Sequence, residues 1–452
     1  MLLEIISKIK TANFTDYVHV IGKIRSLFIN EVWLLAVLLF TLSCASDSDE
    51  EQPEESPPEQ SGISLPTEMA FTTNLPVLII DTPDSCAITS KTEWVEDARI
   101  SLVTSSKDSL LQTEGSIRGR GNVTWNLYPK KSYSLKLDHK DSILGMKPAK
   151  RWVLLANWSD RTLLRNDVAF ECSRRTSLEW TPEGRHVELI LNGVYQGSYY
   201  ICEKIQVSKN RLNIAEMSDS DEDEVSITGG YLMEIDDHYD EAYKFKSAVY
   251  HLPYQFREPD EDVLTEKQFD YMRQYVKNLE KAIHYDERLL AGEYEEWIDP
   301  QSFADWWLIN ELCYNKETGK PRSIFVYKPR NERLKAGPVW DYDFRTFTLF
   351  DDIYVATNFP YLRRLFKDPK FQLLAKQRWA ELRPKFEELP LYIDERANQI
   401  KLSAEQNILL WPITSKGNLD EQLTFDEAIE SMKQSIQLRM SVIDAFLSDF
   451  DK

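Results

Sequence analysis

DWWLINELCYNKETGKPRSIFVYKPRNERLKAGPVWDYDF, running from Asp305 to Phe344, is the stretch that decides the reading of this chain. A helix is predicted from Pro300 with Asp299 as its cap, because Pro is favoured at the first helical position. Phe303, Trp306, Asn310 and Cys313 then recur at helical spacing. The polar run Asn315–Arg322 ends that helix. A strand is predicted over Ser323–Lys328, a turn over Pro329–Leu334, and a second short strand over Pro338–Phe344. The second strand would carry Asp341 and Asp343, and residues two apart in a strand point to one face. Held side by side among Val339, Trp340 and Phe344, two carboxylates repel unless a cation sits between them. Mg²⁺ suits that place, because it takes one or two carboxylates together with phosphate oxygens. Spacing alone also fits two acidic residues that end a strand and cap a turn.

Upstream, Gly115–Leu137 reads GSIRGRGNVTWNLYPKKSYSLKL. Its glycines Gly115, Gly119 and Gly121 let backbone approach phosphate closely, and Arg118, Arg120, Lys130, Lys131 and Lys136 supply charge. The pattern is not GxxxxGK[ST], which excludes a Walker loop. In a strand Ser132–Leu137, Lys136 shares a face with Ser132 and Ser134, opposite Tyr133, Leu135 and Leu137. A Gly-rich turn with a solvated basic face accounts for the same residues.

Further strands are predicted at Leu75–Ile80, Trp94–Val103 and Gly229–Asp236, and a hairpin at His186–Ile205 turning on Asn192-Gly193. From Thr265 the pattern is helical. Thr265 with Gln268, and Thr424 with Glu427, form capping boxes. Helices are also expected over about Ser159–Arg174 and Asp368–Leu382. The class is therefore α+β, with a strand-rich region over about 69–252 and a helical region over about 265–452. The net charge of −20 argues against a nucleic-acid partner. Cys86, Cys172, Cys202 and Cys313 are far apart with no CxxC, which argues against zinc and for free thiols.

NELxxN at Asn310–Asn315, SxFxYK at Ser323–Lys328, LKxGPVWDxDF at Leu334–Phe344 and RGRGNxTWxxYPKKSYxLKL at Arg118–Leu137 resemble the CotH family of atypical, spore-coat-type kinases, in the form found in Bacteroidetes. The resemblance implies a two-lobed, protein-kinase-like fold over 67–452 that uses Mg²⁺ and ATP and phosphorylates a protein acceptor. It implies Asp341 and Asp343 as metal ligands, and Trp340, Arg118, Lys131 and Lys136 around the nucleotide. Lys136 is the expected phosphate-pairing lysine, with Glu171 as the residue that would orient it. Glu317 stands where the family has a catalytic Asp. That departure leaves open a catalytically impaired pseudokinase, or a binding protein with a protein or glycan partner that uses aromatics such as Trp125, Trp158 and Trp180.

The N-terminus is read as a leader. Val32–Leu42 is an apolar run too short to span a bilayer comfortably, preceded by Lys8, Lys10, Lys23 and Arg25 and followed by Ser43-Cys44. It resembles a lipoprotein signal peptide, residues 1–44, with Cys44 lipidated. The acidic, Pro-rich residues 45–66 read as a disordered tether. Ser46–Glu51 resembles the export tag of surface lipoproteins, so the expected location is the outer membrane or cell surface, lipid-anchored. Cys44→Ala should leave an unlipidated precursor that moves from the detergent phase to the aqueous phase in Triton X-114 partitioning. Unchanged partitioning would refute lipidation.

Overall fold

The computed structural model describes residues 63–414 and 416–451. The predicted leader, Cys44 and the tether as far as residue 62 lie outside the described residues. Seven strands close into a barrel: β1 (Val77–Asp81), β2 (Val95–Val103), β3 (Ser109–Arg120), β4 (Ser132–Asp141), β5 (Ala149–Leu155), β6 (Gly184–Leu191) and β7 (Val194–Glu203). The order is β1-β2-β3-β4-β5-β7-β6. Closure comes from the parallel pairing of β1 with β6, Val77 opposite Glu188 through Ile80 opposite Leu191. Alternation decides which side faces in. Leu78, Ile80, Ile100, Leu102, Tyr133, Leu135, Leu137, Trp152 and Leu154 fill the interior. The hairpin between β6 and β7 turns at Asn192 (φ 50°) and Gly193 (φ 74°), the two positive values that a tight primed turn requires.

A second, five-stranded sheet follows: β8 (Tyr231–Ile235), β9 (Lys244–Lys246), β10 (Pro253–Glu258), β11 (Ile324–Lys328) and β12 (Lys335–Ala336), in the order β12-β11-β8-β10-β9. Its last two strands come from the helical half of the chain. The helices are α1 (Val123–Leu127), α2 (Arg165–Arg174), α3 (Glu266–His284), α4 (Asp286–Ala291), α5 (Pro300–Leu312), α6 (Val355–Asn358), α7 (Pro360–Leu365), α8 (Pro369–Phe386), α9 (Leu389–Leu410) and α10 (Phe425–Ser448). Both capping boxes form, at Thr265 on α3 and Thr424 on α10. Asp299 caps α5 by accepting from the Ser302 N–H at 3.0 Å. The architecture is α+β, strand-rich first and helical after.

Two expectations are corrected. Pro338–Phe344 is not a strand: only Lys335–Ala336 pairs with β11, and Asp341 then adopts φ 67°, which breaks an extended run. The helix expected from Ser159 begins at Arg165. The Asp160 carboxylate accepts from the Thr162 N–H and the Arg165 N–H, both at 2.9 Å, and folds the intervening residues into a tight turn.

Lys130 seals the barrel against α9. Its fully buried ammonium donates to Ala156 O at 2.9 Å, to Asn407 Oδ1 at 2.8 Å and to Ser198 O. Burial pulls its pKa down to about 7, while three oxygen acceptors use all three protons of the charged form. It is therefore a structural pin and not a phosphate ligand. Lys130→Met keeps the stem's volume but strands three acceptors, and should cost about 2–4 kcal/mol in urea unfolding. A variant as stable as the wild type would show that the seam holds nothing.

Candidate active site

A cavity of about 420 Å³ opens between the outer face of the barrel and the second sheet. The barrel supplies Arg118 and Arg120 from β3, Gly121 and Asn122 after it, and Ser132 and Ser134 from β4. The sheet supplies Phe325, Glu234 and Gln255, which register opposite one another across β11, β8 and β10, and Arg257 further along. Asp236 and His238 follow β8 on the same side. Trp340, Asp341 and Asp343 line the cavity from the irregular segment after β12, and Glu317 from the turn after α5.

Polar side chains on α5 and α2 explain how a segment without strand partners is held. Asn310 Oδ1 accepts from the Tyr342 hydroxyl at 2.9 Å and from Asn315 Nδ2 at 3.0 Å. Asn315 Oδ1 in turn accepts from the Glu317 N–H at 3.0 Å. Asn166 Oδ1 of α2 accepts from the Tyr342 N–H at 2.7 Å. The two asparagines of NELxxN thus tie the Glu317 turn to the Asp341–Asp343 segment.

Burial and mutual repulsion set the electrostatics. Burial, then the neighbouring Asp236, raises Asp341 above the usual carboxylate range, against Arg120. Burial and Asp341 push Asp343 well above its ordinary value. Glu317 is pushed up to about 8 by burial and Asp341, against Arg322. Glu234 is pushed up to about 7 by burial, against Arg257. Burial disfavours the charged form of each, and Arg120, Arg322 and Arg257 offset this only in part at Asp341, Glu317 and Glu234. Hard oxygen donors crowded in this way are the donor set that Mg²⁺ takes, so the residues fit that metal. Opposite them, burial and Arg257 lower the pKa of Arg120, whose guanidinium lies 5.3 Å over the Trp340 ring.

The expected site residues divide. Asp341, Asp343, Glu317, Trp340 and Arg118 line the one cavity. Lys136 does not line it. It faces outward like Ser132 and Ser134, but stands two residues beyond Ser134, about 7 Å along the strand, and pairs opposite Arg151. Lys131 Nζ donates to Trp125 O at 2.5 Å, away from the cavity lining. Glu171 binds Arg174 and Arg175 at 3.0 and 2.9 Å rather than a strand lysine. Trp340 packs at 5.8 Å on Phe170, so the protein already engages its ring.

The sequence reading missed Glu234, Asp236, His238 and Arg257. Asp236 Oδ2 accepts from the Ser323 N–H at 2.9 Å, and Ser323 Oγ donates to Asp341 Oδ2 at 3.3 Å. Asp236 Oδ1 lies 2.9 Å from His238 Nδ1. The signal was present in YLMEID, where two acidic residues at period two interrupt an otherwise apolar strand.

A family model described as CotH kinase protein matches residues 117–443, which takes in both walls of the cavity. No curated protein matches the chain.

In chelator-treated protein the raised carboxyls predict a pH slope. An unfolded Glu titrates near about 4.3, so between that pH and about 8 the folded state binds more protons at Glu317. Stability should therefore fall as pH rises through this window. Glu317→Gln should flatten the slope and raise the melting temperature at pH 8, at about 1 °C per kcal/mol for a folded unit of this size. Scanning fluorimetry from pH 5 to 8.5 checks this, and the same slope in both proteins would refute it.

Proposed function

The chain belongs to the CotH kinase family, and on that premise we propose that it transfers a phosphoryl group from ATP, with Mg²⁺, to a protein acceptor. The observation that carries the reading is a single cavity lined both by arginines, Arg118, Arg120 and Arg257, and by the acidic Asp341, Asp343 and Glu317. Phosphoryl transfer depends chiefly on positioning and on charge stabilisation, and this lining offers both. Asp341 and Asp343 would hold Mg²⁺, which when bound neutralises phosphate charge. Arg120 and Arg257 bind phosphate oxygens in the role first expected of Lys136. Glu317 takes the proton of the acceptor hydroxyl. It must ionise to do so; burial and then Asp341 oppose that, and a cation held beside Asp341 would offset the second of these. We place this activity on an exported lipoprotein held to the outer membrane or cell surface through Cys44.

Glu317 also supports a second reading, a pseudokinase that binds Mg²⁺–ATP without transfer. Its side chain is one methylene longer than the Asp expected there, and a misplacement of about an ångström costs roughly 100-fold.

Thermal shift with Mg²⁺–ATP, followed by transfer from radiolabelled ATP to a generic acceptor, tests the proposal. Wild type should be stabilised more by Mg²⁺–ATP than by ATP in chelator, and Asp341→Asn should abolish that difference. Glu317→Gln should remove transfer, and Glu317→Asp should raise it. Binding without transfer in wild type or Glu317→Asp would favour the pseudokinase. Identical responses in wild type and Asp341→Asn would remove the metal site.

A further inference from the structure

We infer that Asn418 is a positioning residue that fixes the Asp343 carboxylate for metal binding; this rests on the Mg²⁺–ATP reading above. The segment carrying Asp341 and Asp343 has no strand partner. It also turns through positive φ at three non-glycine residues, Asp341 (67°), Arg345 (56°) and Phe347 (50°). Such backbone persists only when its surroundings over-determine it. On the N-terminal side, Asn166 holds the Tyr342 N–H. On the C-terminal side, the hold comes from a loop far away in sequence.

Asn418 is 4% exposed. Its Nδ2 donates to Asp343 O at 2.8 Å and to Ser159 O at 2.9 Å. Its Oδ1 accepts from the Arg345 N–H at 2.7 Å. Two donors and an acceptor in one small planar group require an amide, which a carboxylate or a hydroxyl cannot reproduce. The peptide planes next to Asp343 are thus clamped to Ser159 on the turn before α2. The clamp is itself anchored. Arg165 binds Asp420 at 2.9 Å, Arg161 donates to Glu421 O at 2.6 Å, and a Cβ added at Gly417 would meet the Phe344 ring at 1.8 Å.

Without the amide, the Asp343 carbonyl keeps only the 3.3 Å hydrogen bond from Ser159 Oγ and the Arg345 N–H loses its acceptor, so the Asp343 carboxylate is no longer held in one place beside Asp341. The arginines of the cavity are untouched. Metal affinity should fall while metal-free nucleotide affinity stays. Partners behind a metal ligand typically account for 10–100-fold in metal affinity.

The test titrates Mg²⁺ into wild type, Asn418→Ala and Asn418→Ser in the presence of a non-hydrolysable ATP analogue, by calorimetry. The Mg²⁺ midpoint should rise about tenfold or more in Asn418→Ala and less in Asn418→Ser, which keeps one donor. Affinity for the analogue in chelator should be unchanged in both. Adding Asn418→Ala to Asp343→Asn should have no further effect on Mg²⁺, because the positioned group is already gone. A wild-type midpoint in both Asn418 variants overturns the inference and leaves the functional reading standing. Equal losses of metal-bound and metal-free affinity, or failure of both variants to fold, also overturn it, because they mark a general structural role. A wild type that binds the analogue without regard to Mg²⁺ sinks the functional reading and this inference with it.

Discussion

The ion pair between Glu311 on α5 and Arg439 on α10 is the constraint from which the site is built. Both side chains are fully buried, 2.7 Å apart. For each, burial is the largest influence on its pKa and opposes its charge. Such a pair adds little net stability, yet losing one partner typically costs about 3–5 kcal/mol. The pair is kept for what it organises. Glu311 also accepts from the N–H groups of Tyr354, Val355 and Ala356, and Arg439 donates to Phe350 O and Asp352 O. One residue earlier on α5, Asn310 reaches Tyr342 and Asn315. A single helical turn therefore fixes the C-terminal helix, residues 350–356, the Glu317 turn and the acidic segment.

That rigidity is needed because the cleft works against its own fold. Glu234, Asp236, Glu317, Asp341 and Asp343 crowd one lining with arginines that only partly compensate. Burying like charges is unfavourable, and here it raises the pKa of Glu234, Glu317, Asp341 and Asp343. The apolar surroundings supply the compensating stability. Tyr231, Met233, Trp306, Trp307 and Leu308 belong to one large buried cluster directly behind the acidic wall. The cleft is thus set in low-dielectric surroundings, where fixed charges act strongly on a charged ligand.

Local signals in the chain were legible and non-local ones were not. The capping boxes at Thr265 and Thr424, the Asp299 cap and the Asn192-Gly193 turn are each decided by a few neighbouring residues, and each appears as read. The barrel's closure depends on β1 meeting β6 across more than a hundred residues, and no local pattern encodes it. Asp341 and Asp343 could be picked out, but their backbone could not, because hydrogen bonds from Asn166 and Asn418 impose it from outside the segment. Lys136 was misplaced for a related reason. Period-two reasoning gives a side chain's face and says nothing of its height along the strand, and two residues of height separate the cavity wall from its surroundings.

The second sheet, unlike the barrel, does not close on itself, and beside β12 Leu334 bridges Ile298 while the Ala336 N–H donates to Ser302 Oγ at 3.1 Å. Its outermost strands are β9, three residues of sequence Lys-Phe-Lys, and β12, two residues with Lys335 paired to Glu332 at 2.7 Å and also to Glu179. A margin this short, with ammonium groups standing on it, is a poor template for another chain to zip onto. The chain therefore keeps an open sheet, which its cleft requires, without offering that sheet as a nucleus for aggregation.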